Sequence, residues 1–194
     1  MAKTVAPLFS FGARGALGET LVYFPWKGIE CVRTYVKPAN PNTGAQQAQR
    51  GLLHDAVDDW HGIGLDADDV AAWNRAASAG PSPMSGFNAF CQAHINIALA
   101  GETPNMGRNG SLADDADGTF TGLITEGGSA TAVNMLWGFS ATSLINTEAG
   151  TEVANTWTCD PITDVGGSTV YARFVILAAG NVVGRTGIYK VAVA

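Results

Sequence analysis

Apolar positions follow three successive regimes along this chain. In the first 40 residues, ETLVYF and IECVRTYV are rich in β-branched and aromatic residues and flank the turn-like Pro25-Trp26-Lys27-Gly28, which predicts a β-hairpin. Upstream, Gly12, Gly15 and Gly18 recur every third residue, a spacing expected to let backbone pass close to another surface. It is not the spacing of a dinucleotide-binding loop.

After the hairpin, Pro38 and Pro41 make PANP a stiff spacer, and Thr43 with Gln46 forms a capping-box pattern. The period then becomes helical. Ala45, Ala48, Leu52, Ala56, Val57 and Trp60 define a stripe over about 43–60. Gly62 and Gly64 end that helix. Asp66 starts a second, running to about Ala79 with Val70, Trp73 and Ala77 inward, and Gly80-Pro81-Ser82-Pro83 breaks it. Ser85 caps a third, whose apolar face includes Phe87, Phe90, Cys91, His94, Ile95, Ala98 and Leu99. Trp60, Trp73, Phe87 and Phe90 are expected to seal the three helices together.

From Gly101 to Gly118 the pattern is polar and aperiodic, which reads as a linker. Beyond it FTGLIT, VNMLWGFS, NTWTC, TVYARFVIL and GIYKVAVA are short strands separated by turn signals. Tyr171 and Phe174 fall on opposite faces of an ideal strand, so both faces are buried there or the strand is bulged. Trp137 and Trp157 are the natural core plugs. The expected fold class is therefore α+β with two domains: a β-hairpin and three-helix docking domain over 1–100, a linker over 101–118, and an all-β immunoglobulin-like or fibronectin-like sandwich over 119–194.

Composition sharpens this picture mainly through charge. The net charge is −6, but residues 1–50 hold six basic and two acidic side chains, whereas the remainder holds five basic and fifteen acidic. That asymmetry suits head-to-tail contact between copies, or a basic arm on an acidic neighbour. The basic arm interleaves Phe24, Trp26 and Tyr35 with its cations. Even so, charges this sparse and a pI near 4.9 argue against a dedicated nucleic-acid binder. Cys31, Cys91 and Cys159 are isolated from one another, with no disulfide framework or zinc spacing. The amino-terminal stretch carries no secretory signal pattern, and no window reaches the length of a membrane span, so synthesis in the cytoplasm without membrane insertion is expected.

Candidate chemistry is thin. The histidines form no H-E-x-x-H, and His94, beside an apolar stripe, reads as a core histidine. Asp114-Asp115-Ala116-Asp117-Gly118 lacks the alternating opening and distal glutamate of a calcium loop, and Gly127-Gly128-Ser129 and Gly166-Gly167-Ser168 are turns, not nucleophile elbows. Neither an enzyme nor a bound cofactor, metal or small molecule is expected.

The ordered run GALGETLVYFPWKGIECVRTYVKP, NPNTGAQQAQRGLL, Trp60, Ala71-Ala72-Trp73 and SGFNAF resembles a widespread group of uncharacterised proteins from bacteria, phages and prophages, over residues 9–99. The resemblance implies no activity and no catalytic residues; it implies a phage-type context. The expectation is a non-enzymatic virion structural protein, a capsid- or tail-associated accessory or decoration subunit. Its partners would be other virion proteins and copies of itself. Arg14, Trp26, Lys27, Arg33, Tyr35, Lys37 and Arg50 are the candidate partner-binding residues. The alternative is an adhesin-like module that recognises a cell-surface glycan or protein through the loops of the sandwich.

Overall fold

A computed structural model describes residues 2–3, 13–37, 39–114, 120–127, 130–162 and 165–193. It is a mixed α/β protein with three helices and a curled antiparallel sheet in a β-rich carboxy-terminal half. By internal contacts the chain divides into Met1–Thr43 and Gly44–Ala194.

The first unit is a four-stranded antiparallel sheet in the order β1-β4-β3-β2, with β1 Ala2–Lys3, β2 Gly15–Leu17, β3 Leu21–Trp26 and β4 Ile29–Thr34. The expected hairpin is its centre. Lys27 and Gly28 form a two-residue turn with φ of 51° and 77°, the doubly positive geometry that matches strand twist. Gly15 and Gly18 also have positive φ, yet among the described residues nothing lies within 4 Å of a Cβ added at either. Gly18 serves the turn into β3 and Gly15 opens β2 opposite Tyr23, with no close approach at either among the described residues; Gly12 lies outside them, as does Pro38 of the spacer.

The second unit begins with α1 Gly44–Gly62, α2 Ala67–Ala79 and α3 Gly86–Leu99. Asp66 caps α2: its side chain accepts from the Asp69 amide at 2.7 Å, and Asp69 accepts from the Asp66 amide at 3.2 Å, a reciprocal capping box. Ser85 caps α3 by accepting from the Asn88 amide. Trp60 packs edge-on against Phe87 and Phe90, and Trp73 against Phe90, so the expected aromatic seal forms. The stripe on α1 is shorter than its sequence suggests. Ala45 and Ala48 are exposed and burial starts at Leu52, because the 19-residue α1 outruns the 14-residue α3 against which it packs.

Eight strands follow: β5 Arg108–Asp114, β6 Phe120–Thr125, β7 Ala132–Gly138, β8 Asn146–Val153, β9 Thr156–Ile162, β10 Thr169–Ala178, β11 Asn181–Arg185 and β12 Tyr189–Ala192. They pair in the order β11-β10-β7-β8-β9-β6-β5, with β12 on the other half of β10's edge. The sheet curls until β12 lies beside β5. Its core holds Phe120, Ile124, Met135, Phe174 and Ile176, with Trp137 and Trp157 as expected. On β10, Val170, Ala172, Phe174 and Ile176 are buried while Tyr171, Arg173, Val175 and Leu177 are half-buried. Both faces of this strand are thus covered, and its pairing with β11 shifts register at Ile176/Leu177.

Two expectations about organisation give way. The stretch 101–118 is not simply a linker, since Arg108–Asp114 is an edge strand paired with β6; residues 115–119 lie outside the described set. Nor do the helices form a domain with the hairpin. α2 packs on β5 and β12 and α3 on β11, and Ala72 of α2 belongs to the core of the sheet. The reason is that a three-helix layer this thin buries one face against itself and needs the sheet for the other.

Candidate functional site: a basic sheet and a polar helix-sheet seam

The amino-terminal sheet sorts its side chains by register. Val22, Phe24 and Trp26 share a face with their partners Arg33, Cys31 and Ile29; Leu21, Tyr23 and Pro25 face the other way with Thr34, Val32 and Glu30. On the first face the Arg33 guanidinium lies 5.4 Å from the centre of the Phe24 ring, a cation-π contact that fixes the cation above an apolar surface. Trp26 and Ile29 close the hairpin beside the turn and remain 57% and 40% exposed. Pro25 is tolerated in an inner strand because β2 begins at Gly15 opposite Tyr23, so among the described residues its missing N–H leaves no ladder bond unmade.

Six of the seven residues singled out from sequence belong to this unit. Arg14 is exposed just before β2, Trp26 and Lys27 form the exposed tip, Arg33 is on the sheet face, and Lys37 is exposed in the segment that follows. Tyr35 is half-buried, its amide donating to the Thr20 carbonyl at 2.8 Å. Arg50 lies on the exposed part of α1, in the other unit.

The second unit holds features that the sequence did not announce. Asp69, fully buried, accepts from the amides of Asn109 at 2.8 Å and Gly110 at 3.1 Å and from the Tyr189 hydroxyl at 2.5 Å, in addition to its capping bond. One carboxylate thus ties the start of α2 to β5 and β12. Burial, then the bond to Asp69 and its negative charge, push the Tyr189 hydroxyl far above the ordinary tyrosine range. With its acceptor sites filled and no solvent contact, Asp69 is a structural clamp and not a reactive carboxylate. Gly110 is required there, because a Cβ would sit 2.2 Å from the Tyr189 ring.

Nearby, Arg108 donates to the Ile63 carbonyl at 2.7 Å, and Arg75 donates to that of Ile188. Asn105 donates to the buried Glu126 at 2.6 Å and accepts from the Gly127 amide at 2.9 Å, closing the edge of β6. His94 is a core histidine, as expected: its Nε2 meets Asp59 at 2.8 Å and its ring stacks on Phe90. His54 and His61 are exposed.

Among the described residues no cluster of three His, Cys, Asp or Glu could hold a metal, and Cys31, Cys91 and Cys159 are buried and form no disulfide. Of the acidic run, only Asp114 is described. Among the described residues no helix is long and apolar enough to cross a membrane.

At the end of the sheet, the loop between β7 and β8 leaves Phe139 and Ile145 exposed around a cavity of about 240 Å³ lined also by Gly138, Ser140, Ser143 and Asn146. No family profile and no curated protein sequence matches the chain. Among solved structures, an engineered protein aligns at 18% identity over 44% of this chain and 20% of its own length, with a TM-score of 0.33. A similarity that low transfers neither fold nor activity.

Proposed function

We propose that this protein is a non-enzymatic structural subunit of a phage particle, an accessory or decoration component on the capsid or tail that docks through its amino-terminal sheet. The observation that carries the reading is the hairpin end of that sheet, where the exposed Trp26 and Ile29 form an apolar tip beside Lys27, and the exposed Arg33 lies over the half-buried Phe24 on the same face. Aromatic and arginine anchors of this kind dominate protein interfaces. Charge supports it: Met1–Thr43 contains five basic and two acidic residues, while the rest contains six basic and fifteen acidic. Copies of the chain, or acidic neighbours, therefore offer the sheet a complementary surface.

The strand order of the second unit supports a fibronectin-like reading of its sandwich. β5-β6-β9 would be one layer and β8-β7-β10 with β11 and β12 the other, β8 bridging the two. Such a module projects well from a lattice. Quantitative mass spectrometry of purified particles from cells that carry the gene tests the assignment. A fixed copy number per particle is expected, and absence from the particles overturns it.

A second reading, an adhesin-like module, is favoured by the exposed Phe139 and Ile145 on the β7–β8 loop. Saturable binding to a glycan array that is lost on Phe139→Ser with Ile145→Ser supports recognition; silence across the array leaves the architectural reading.

A further inference from the structure

α3 packs on β11, and residues of α2, α3, β10 and β11 line a cavity of about 210 Å³. Trp73, Met84, Gln92, Arg173 and Arg185 are among the residues that line it. Register places the two arginines together: Arg185 pairs with Val175, two residues from Arg173 on the same face of β10, so the guanidiniums are diagonal neighbours. Among the described residues neither takes part in an ion pair, and no Asp or Glu lines the cavity. Among the described residues the buried Nε of Arg173 has no acceptor, nor has the buried indole Nε1 of Trp73, a residue only 2% exposed.

Two like charges in a half-buried space raise each other's cost. Burial, and then the positive charge of Arg185, lower the Arg173 pKa to about 10, and burial lowers that of Arg185 too. Packing alone would be better served by methionine or leucine at these positions. What the cavity lacks is a negative charge, and what it offers is the guanidiniums of two arginines, with the Trp73 side chain in the same lining.

We propose that this cavity binds a small oxyanion, a carboxylate or phosphate-type group held between Arg173 and Arg185. The volume admits one such group with little attached, and guanidiniums match both geometries through paired hydrogen bonds. The site is independent of the particle assignment, since it is formed entirely within Gly44–Ala194.

Isothermal titration of the full chain with inorganic phosphate and with acetate, against sodium chloride at matched ionic strength, tests this. Saturable binding is expected for at least one of the two anions; the acetate and phosphate arms distinguish a carboxylate from a phosphate preference. Arg173→Gln and Arg185→Gln should each weaken it at least tenfold, while Lys190→Gln, outside the cavity, leaves it unchanged. Should an arginine variant fail to fold, the wild-type protein still decides through the Trp73 indole resonance, which moves on titration if the anion enters. No saturable binding of either anion, or binding indifferent to both arginine substitutions, or a Trp73 resonance that stays fixed, overturns the proposal.

Discussion

Tyr189, near the carboxy terminus, donates its hydroxyl to Asp69, on the first turn of α2, across 120 positions of sequence and 2.5 Å of space. Together with the amides of Asn109 and Gly110 on the same carboxylate, this contact fastens the helical layer to the sheet. Replacing Asp69 with alanine strands several buried donors, at an expected cost of about 3–5 kcal/mol. Tyr189→Phe removes one charge-assisted bond and should cost about 1.5–3 kcal/mol. Urea unfolding of each variant gives both values, and losses below about 1 kcal/mol would deny the clamp its role.

The same pair sets a dependence on pH. The Tyr189 hydroxyl is raised in the folded state, so the folded protein retains a proton that the unfolded chain sheds near pH 10. Its stabilising contribution is complete below pH 10 and is lost as pH rises beyond it. The difference in unfolding free energy between wild type and Tyr189→Phe, measured from pH 8 to 11, should be flat and then shrink above pH 10.

Arg173 works with the opposite sign. Its folded pKa is depressed to about 10, so burying its charge penalises the native state at every lower pH, and the penalty fades as pH rises from about 10 toward 12.5. Arg173→Met should therefore stabilise the anion-free protein by about 1–2 kcal/mol at pH 7. Denaturation at pH 7 and pH 10.5 should find the gain smaller at the higher value, and phosphate or acetate should narrow it further at pH 7.

Glycines separate close packing from mere helix content. At Gly187 a Cβ would lie 2.3 Å from the Ala72 carbonyl carbon and 2.4 Å from the Trp73 nitrogen, in the seam where the Ile188 amide donates to the Ala72 carbonyl. Gly187→Ala should lower stability by about 3 kcal/mol or prevent folding. Gly51 sits exposed within α1, and among the described residues nothing lies within 4 Å of an added Cβ, so Gly51→Ala should raise stability by about 0.5–1 kcal/mol. Thermal melts of the two variants should shift in opposite directions.

Local elements were legible from sequence because their signals are local. Asp66 and Ser85 cap the helices they were expected to cap, and the helical period delivered Trp60, Trp73, Phe87 and Phe90 to one cluster. β5 was hidden because its apolar content is little more than Leu112, and its Gly110 is there for the Tyr189 ring, which no local pattern reveals. The clamp at Asp69 and the pair Arg173 and Arg185 were hidden for a related reason. Asp69 is one of two acids in the first turn of α2, Arg173 is one polar residue in an apolar strand, and Arg185 lies outside every strand expected from sequence; only the sheet sets them against partners far away in the chain. The hairpin that carries Trp26, Lys27 and Arg33, the residues proposed for docking, was legible because its turn is local, and its register places Trp26 and Arg33 on one face. Arg50 was grouped with them by sequence proximity alone, whereas it sits on α1 in the other unit.

Docking by the sheet predicts a selective loss. Trp26→Ser and Arg33→Glu should each weaken attachment to particles lacking the subunit at least tenfold, while leaving the thermal transition of Gly44–Ala194 unchanged, since both residues lie in the separate unit Met1–Thr43. Rebinding followed by sedimentation measures this. Attachment at wild-type affinity by both variants would place the contact elsewhere.

The most direct test is a cryo-electron microscopy map of the particle at side-chain resolution. The account predicts density for this chain with Trp26, Ile29 and Arg33 buried against a neighbouring subunit. A map in which that face is bathed in solvent, or in which the chain is missing altogether, would contradict it.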